Sequence, residues 1–420
     1  MSSKRQIKSF WWSPDQPETK WFGSLTLGFD QTPELELFIE CQSQPSDHRP
    51  LGRVIQGMDE HGVPVTLLYV GSAGESKRGA VQTRKLEAGY ALIGIALADA
   101  DSFVAHSLRL QVQHLFGWLA RSGFKDATGQ DVNAFVVNFR PRADEWFSIT
   151  ADLELGVHDT FKAHEGFQER SISEDAALTF RSTGGLSLAR CRELIRAVRT
   201  LIHFASLEQV YPVWMTAYKK GHGRQIGEAW VEQDIEIASS NLRKAKSELP
   251  FPDRWIFQFD DVRADFADFI RKWLEYSEKF AEPLGCYSST IYHSLPAELV
   301  HLSLTQALES YHGTMFSSHR KQTFRAKIKE LTNLHAASLK GLVDDVSEFS
   351  EIVRDTRNYY THHNPKDLAT GKVAKGNDLF RLNEKLQLLF QMCVLTDLGI
   401  PADRFSRLRR QLATEIISYV

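Results

Sequence analysis

The first part of the chain places hydrophobic residues at alternate positions. Leu35, Leu37 and Ile39 do so in a stretch that also holds three glutamates, and Val63–Val70 is rich in β-branched side chains. Both patterns are typical of strands. Clusters of Gly, Pro, Asp and Ser separate the strand-like runs, as turns require. We therefore expect residues 1–155 to form an antiparallel β domain, a sandwich or an open barrel, interrupted by one helix near Arg109–Ser122.

The hydrophobic period changes to three and four residues after Gly184–Gly185. Apolar side chains recur at these intervals within Leu188–Ala205, which predicts an amphipathic helix. A short strand-like run follows at Trp255–Phe259, and Phe266–Tyr276 has the helical period again. Residues 156–293 are therefore predicted to be a mostly helical middle segment.

The C-terminal part has the helical period throughout. Apolar residues mark segments at 299–308, 324–334, 342–360, 379–398 and 404–420. Four or five antiparallel helices of this length would form a compact bundle. We therefore predict an all-α bundle over residues 294–420, and an α+β fold class for the whole chain.

Composition excludes several classes of protein. A chain of 420 residues with 42% hydrophobic content can bury a sizeable core. Its four cysteines form no C-x-x-C pair, which argues against a disulfide scaffold and a cysteine-based zinc site. Neither a secretory leader nor a membrane-spanning segment is visible. We expect a cytoplasmic protein that needs no cofactor or metal and does not bind a membrane.

Candidate chemistry is concentrated near the end of the predicted third helix of the bundle. Arg357 is followed by Asn358, and two histidines come next, at His362 and His363. Arginine is a permanent cation that suits phosphate oxygens, and histidine exchanges a proton near neutral pH. Such a pair can cleave a phosphodiester without a metal. Residues 296–420 also carry a net charge of +3, whereas the remainder carries −6.

A structural explanation of the same residues stays open. Arg357 would then form a surface ion pair with Asp355 or Glu351, and the two histidines would favour the negative end of a helix. Helix geometry also matters, because residues five positions apart lie about 140° apart in projection. Arg357 and His362 could converge only if the last turn unwinds or a second subunit contributes.

Two further features bear on RNA binding. The stretch after the motif is rich in glycine and lysine, so Lys366, Lys372 and Lys375 are candidate contacts to an RNA backbone. Near the N-terminus, Phe10–Trp12 and Trp21–Phe22 would either stack on bases or fill the core of the β domain.

The motif resembles the Arg-x4–6-His signature of the HEPN superfamily, with Asn358 at the polar position after the arginine. The whole chain resembles the ApeA-type bacterial anti-phage defence proteins. Trp21–Leu25 and Ile55–Gly57, continuing to Val65–Leu67, are similar to the N-terminal β domain of that family. Ala307–His312 resembles its first HEPN helix.

The resemblance implies a metal-independent HEPN endoribonuclease that arrests growth or aborts infection, with tRNA among its candidate substrates. It implies pairing of two HEPN domains as a homodimer or larger assembly. From the domain architecture we expect the N-terminal β domain to sense the infection signal, for which a phage-derived trigger is the candidate. Arg357 and His362 would be catalytic, with Asn358 and His363 beside them, and Glu309 would orient the motif. Whether His362 alone or both histidines act stays open. The alternative is a catalytically silent HEPN module that oligomerises or binds a phage or host protein.

Overall fold

The computed structural model describes residues 4–406, except 41–51, 79–80, 127–136, 166–169, 227–228, 245–254, 317–320 and 364–370. Within this range the chain forms two compact units. The first comprises Met1–Arg199 and Val210–Leu249, and the second comprises Thr200–Gln209 and Pro250–Val420. No helix among the described residues is long and apolar enough to cross a membrane.

The first unit is built on a 14-stranded sheet, in which every strand pairing is antiparallel. The strands of the unit are β1 Arg5–Ser13, β2 Gln16–Leu27, β3 Glu34–Glu40, β4 Val54–Met58, β5 Pro64–Leu68, β6 Gly71–Arg78, β7 Val81–Glu87, β8 Tyr90–Ile93, β9 Val104–Val112, β10 Phe124–Asp126, β11 Val137–Phe139, β12 Glu145–Ser148, β13 Leu153–Glu165, β14 Arg170–Ser187, β15 Pro212–Tyr218, β16 Gly223–Ile226, β17 Ala229–Glu232 and β18 Ile235–Ser239. The order across the sheet is β12-β13-β14-β9-β15-β18-β8-β5-β4-β1-β2-β3-β7-β6, and β10-β11 and β16-β17 form separate pairs. The sheet is open, with β12 and β6 at its edges.

Alternation along the strands determines which side of the sheet is buried. Leu35 and Leu37 of β3 are at most 1% exposed, whereas Phe38, which follows Leu37, is 40% exposed. Each fully buried side chain of this size contributes about 1.5–3 kcal/mol of transfer free energy. The prediction of an antiparallel β domain is therefore confirmed.

The helices include α1 Leu115–Leu119, α2 Leu188–Ser206, α3 Phe259–Val262, α4 Phe266–Lys279, α5 Ala281–Tyr292, α6 Ala297–Met315, α7 Phe324–Leu334, α8 Ala336–Leu339, α9 Val346–His362 and α10 Gly376–Asp397. Single 3-10 turns lie at Arg263–Asp265 and Ala402–Arg404. In the second unit α6 packs against α5, α9 and α10, and α7 packs against α9. Leu304 and Leu308 of α6, Val353 of α9 and Leu386 of α10 are fully buried, so the predicted helical bundle is confirmed. Its last predicted segment, 404–420, lies largely outside the described residues.

Several local expectations differ from the structure. The predicted limit of the β domain at residue 155 falls inside β13, and the segment predicted as mostly helical, 156–293, supplies β14 to β18 as well as helices. β14 is largely polar over its first residues, and β15 to β18 have only four to seven residues each, so none of them shows a sustained alternation in the sequence. The helix predicted near Arg109–Ser122 is present but shorter, because β9 occupies the first part of this range and α1 spans only Leu115–Leu119. Trp255–Phe259 forms no strand, and Phe259 begins α3.

The N-terminal aromatic cluster divides between the two faces of β1 and β2. Trp11 is fully buried, whereas Phe10 and Phe22 are 57% and 47% exposed. Their rings pair across the strands at 5.8 Å, and Phe38 extends the row at 6.2 Å from Phe22. Trp11 therefore fills the core as expected, and base stacking by the exposed rings of Phe10 and Phe22 stays a prediction.

Candidate active site

Helix α9 carries the whole Arg-Asn-His motif. Its first turn is capped by Asp345, whose carboxylate accepts hydrogen bonds from the backbone N–H groups of Ser347 and Glu348 at 2.7 and 2.9 Å. The helix continues without a break to His362 and ends at His363, which has left-handed backbone angles of φ 49° and ψ 34°. The last turn therefore does not unwind between Arg357 and His362.

This continuity determines the geometry of the motif within one chain. Five helical positions place Arg357 and His362 about 140° apart around the axis and about 7.5 Å apart along it. Side chains with this relation leave the helix on different sides. One chain alone therefore does not direct both side chains at one point.

Arg357 is held by residues from two other helices. Its Nη2 donates to Glu309 Oε2 of α6 at 3.1 Å, and its Cζ lies 4.7 Å from the ring centroid of Phe324 at the start of α7. The other oxygen of Glu309, Oε1, accepts from Lys327 Nζ at 3.1 Å. Arg357 has five N–H donors, and its side chain is 36% exposed. Its guanidinium is thus oriented but keeps donors for a further partner.

The ion pairs proposed for Arg357 on structural grounds are made by other residues. Asp355 pairs with Arg354. Glu351 pairs with Arg325 and Lys372. The arginine of the motif is therefore tied across the bundle to Glu309 rather than along its own helix.

Both histidines of the motif are exposed at the end of α9. The ring of Tyr359 packs edge-on against His363 with centroids 5.8 Å apart. The backbone N–H of His363 donates to the Tyr359 carbonyl at 2.6 Å, which completes the last turn. The His362 ring has no hydrogen-bond partner among the described residues. Its nitrogen atoms are therefore available to an incoming group.

The remaining predicted site residues are arranged around the same helix. Asn358 is half-buried. Lys372 pairs with Glu351, which raises the pKa of the lysine and lowers the pKa of the carboxyl. Lys375 Nζ lies 5.0 Å from the ring centroid of Tyr359, beside the motif. Lys366 lies outside the described residues.

Lys327 and Phe324 were not identified from the sequence, although a signal was present. Phe324, Ile328 and Leu331 form the apolar stripe of α7, and Lys327 lies on the same face. Its side chain is only 10% exposed. A lysine in this position needs an anionic partner, because an unpaired charge would be costly there. Glu309 is that partner.

His301 lies behind Arg357 but cannot exchange protons near neutral pH. It is fully buried on α6, where burial and, to a smaller extent, the charge of Arg357 together lower its pKa to about 4. Asn383 Nδ2 donates to the carbonyl of Ala297 at 2.8 Å, so its Oδ1 accepts from His301 Nδ1 at 3.0 Å. The described residues include no group of three or more His, Cys, Asp or Glu side chains that could hold a metal ion.

Two family models match the chain. The model described as ApeA N-terminal domain 1 matches residues 6–273, and the model described as Apea-like HEPN matches residues 302–404. The chain belongs to the ApeA family. The HEPN match includes Glu309, Lys327 and the motif on α9, and the N-terminal match includes the whole open sheet.

Membership confirms the resemblance seen in the sequence and indicates a defence-related nuclease. No curated protein and no solved structure matches the chain. The roles of individual residues in ApeA chemistry therefore rest on the geometry of the site.

Proposed function

We propose that this ApeA protein is a metal-independent endoribonuclease of anti-phage defence, acting in the cytoplasm. It cleaves RNA, with tRNA as a candidate substrate, to 2′,3′-cyclic phosphate and 5′-hydroxyl ends. Loss of the cleaved RNA arrests growth or aborts the infection. The proposal rests on one observation: α9 carries both an oriented, partly exposed arginine and an exposed histidine.

The residues have complementary roles in the reaction. The imidazole of His362 removes the proton of the ribose 2′-hydroxyl, and the resulting oxygen forms a bond to phosphorus. Arg357 donates hydrogen bonds to the phosphorane oxygens as negative charge develops. The bond from phosphorus to the 5′-oxygen then breaks, that oxygen takes a proton from water, and the hydroxide left takes back the proton that His362 holds. The products are the cyclic phosphate and the 5′-hydroxyl, and atoms and charge balance.

The helix geometry favours a site made by two chains. Because α9 is unbroken through His362, its own Arg357 and His362 diverge by about 140°. Two HEPN domains related by a two-fold axis would bring Arg357 of one chain to His362 of the other. We therefore assign the active form to a homodimer or larger assembly through the HEPN domain.

Lysines near the C-terminal end of α9 are the proposed contacts to the substrate. Lys375 lies beside the motif without a carboxylate partner among the described residues, so it is the best-placed lysine for a backbone phosphate. Lys372 is already neutralised by Glu351 and would contribute less. Lys366 is the third lysine that we propose to contact the RNA backbone. His363 and Asn358 remain auxiliary, because neither is held as Arg357 is. In this proposal the N-terminal domain senses a phage-derived trigger.

The test uses the full-length chain with total cellular RNA and defined tRNAs in EDTA. Wild type should cleave and leave cyclic phosphate ends, whereas Arg357→Ala and His362→Ala should lose about 10²-fold or more of the rate. The matched control is His293→Ala, which removes an exposed histidine of the same unit outside the motif. If wild type is silent, infected-cell extract supplies the trigger. Failure to cut any RNA even then, or equal cleavage by all variants, would refute the proposal.

The Arg357–Glu309 ion pair also supports a second candidate function. It ties α9 to α6 and would serve equally in a catalytically silent HEPN module that oligomerises or binds a phage or host protein. In that case defence would survive in folded Arg357→Ala and His362→Ala variants, as measured by phage plaque counts on cells expressing them. Loss of defence in both variants would exclude the silent module.

A further inference from the structure

The exposed face of the sheet in the first unit contains a polar cavity of about 410 Å³. It lies over β9, β13, β14 and β15, far along the chain from the HEPN motif. The opposite face of these strands belongs to the core, since Leu108, Leu178 and Phe180 are at most 3% exposed. The cavity therefore has a rigid floor of paired strands.

Two adjacent cross-strand rows make this floor. The first row is Thr179, Arg109 and Thr216, and the second row is Arg181, Ser107 and Tyr218. Directly paired side chains in an antiparallel sheet have Cβ atoms about 4.5–5.5 Å apart. Two guanidinium groups are thus interleaved with hydroxyl groups over a few ångströms, which is an arrangement suited to the oxygens of a phosphate.

The charges in the cavity are unequally compensated. Asp159 is paired with the buried Arg121 at 3.1 Å, and Asp144 Oδ2 lies 2.9 Å from His158 Nδ1, an ion pair only when that histidine is protonated. By contrast, Arg109 makes no ion pair with any residue that the structure describes, and it is exposed. Among the described residues, the ion pair of Arg181 is a long contact of 3.6 Å to the exposed Glu154. The guanidinium groups therefore keep donors for an anionic ligand.

One wall of the cavity is aromatic and depends on a glycine. The rings of Trp146 and His158 pack edge-on with centroids 5.1 Å apart, and Arg181 Cζ stacks 4.1 Å from the Trp146 ring. Gly156 lies between them on β13. A Cβ there would come within 2.6 Å of His158 Nε2 and 2.9 Å of Trp146 Cη2. The absence of a side chain at Gly156 lets both rings lean over the strand and close this side.

We propose that this cavity binds a nucleotide through its phosphate. Arg109 and Arg181 would bind the phosphate oxygens, assisted by the hydroxyls of Ser107, Thr179 and Thr216; the Tyr218 hydroxyl already donates to Glu232 Oε2 at 2.5 Å. Asp234, which is exposed at the rim, would accept hydrogen bonds from ribose hydroxyls or a base amino group. The volume is within the range of small-molecule sites. The phosphate belongs either to a free nucleotide or to the 5′ end of an RNA. This proposal does not depend on the ribonuclease activity.

Isothermal titration calorimetry on the full-length chain tests the proposal with three probes. They are AMP, inorganic phosphate and a 5′-phosphorylated RNA hexamer, the last titrated into His362→Ala so that cleavage cannot interfere. Arg109→Gln removes the central guanidinium, and Arg190→Gln is the matched control, because Arg190 is an exposed arginine of the same unit that pairs with Glu193. Circular dichroism melting checks that both variants are folded.

We expect AMP or the hexamer to bind wild type more tightly than inorganic phosphate does. Arg109→Gln should weaken that binding at least tenfold, and Arg190→Gln should leave it unchanged. Binding of AMP identifies a free nucleotide as the source, and binding of the hexamer alone identifies an RNA end. No binding of any probe at millimolar concentration would overturn the proposal, as would equal binding by wild type and a folded Arg109→Gln variant.

Discussion

Mixed dimers provide the sharpest test of the two-chain site. One chain carries Arg357→Ala and the other carries His362→Ala, with different affinity tags, and tandem purification isolates assemblies that contain both. Such a dimer has no intact Arg-His pair within either chain. In the proposed two-chain site it has one intact pair across the chains, formed by the arginine of the His362→Ala chain and the histidine of the Arg357→Ala chain.

The expected rates follow from the helix geometry. With α9 continuous to His362, only the pair across the chains can converge, so a wild-type dimer has two working pairs and the mixed dimer has one. The mixed dimer should therefore cleave at about half the wild-type rate per dimer. Homodimers of either variant should fall by about 10²-fold or more, as expected on removing a proton-transfer group.

A second mixed dimer reverses the expectation. Here a wild-type chain is combined with a chain that carries both substitutions, so one pair within a chain is intact and no pair across the chains is. The two-chain site predicts that this dimer is nearly inactive, whereas a site within one chain predicts about half the wild-type rate. Cleavage of end-labelled tRNA by the two purified dimers gives the comparison. Activity in the second dimer and none in the first would refute the two-chain site, and failure to isolate any mixed assembly would refute the dimer.

Three other consequences of the structure are open to measurement. Glu309→Gln removes the charge that fixes Arg357, so the cleavage rate should fall about tenfold or more while KM changes little, and an unchanged rate would exclude an orienting role. His301 has a folded pKa of about 4 against about 6.5 unfolded, so its contribution to stability is fully present above pH 6.5 and is lost as pH falls towards 4. Urea unfolding at pH 5 should show about 2 kcal/mol less stability from this group, and a folded His301→Gln variant should lose that part of the pH dependence. Gly57→Ala would place a Cβ 2.4 Å from Trp11 Cε3, so it should lower the free energy of unfolding by about 1–3 kcal/mol, visible as a lower Tm; an unchanged Tm would contradict the packing.

Elements with a regular hydrophobic period were predictable from the sequence, and polar strands were not. The stripe of α2 and the alternation of β3 each mark one buried face, so their type and position followed directly. The prediction for β9 failed for a physical reason. Its buried residues include Leu108 and Leu110, and the neighbouring Gln111 and Val112 are buried too. Gln111 and Val112 lie three and four positions after Leu108, which is also the spacing of the buried face of a helix. Only pairing with β14 and β15, which are distant in sequence, determines that this segment is a strand.

The candidate site, too, could be predicted only in part from the sequence. The motif on α9 is local, so residue type and spacing were enough to find it. The contacts that orient it are not local, since Glu309 precedes Arg357 by 48 positions and reaches it only because α6 packs on α9. Lys327 then uses the second oxygen of the same carboxylate, so two cations from different helices share one anion. Removing Lys327 would leave Glu309 to Arg357 alone and shorten that ion pair, whereas removing Glu309 would leave two neighbouring cations unneutralised. The position of the arginine therefore depends on the packing of three helices, and a periodicity confined to one helix carries no information about it.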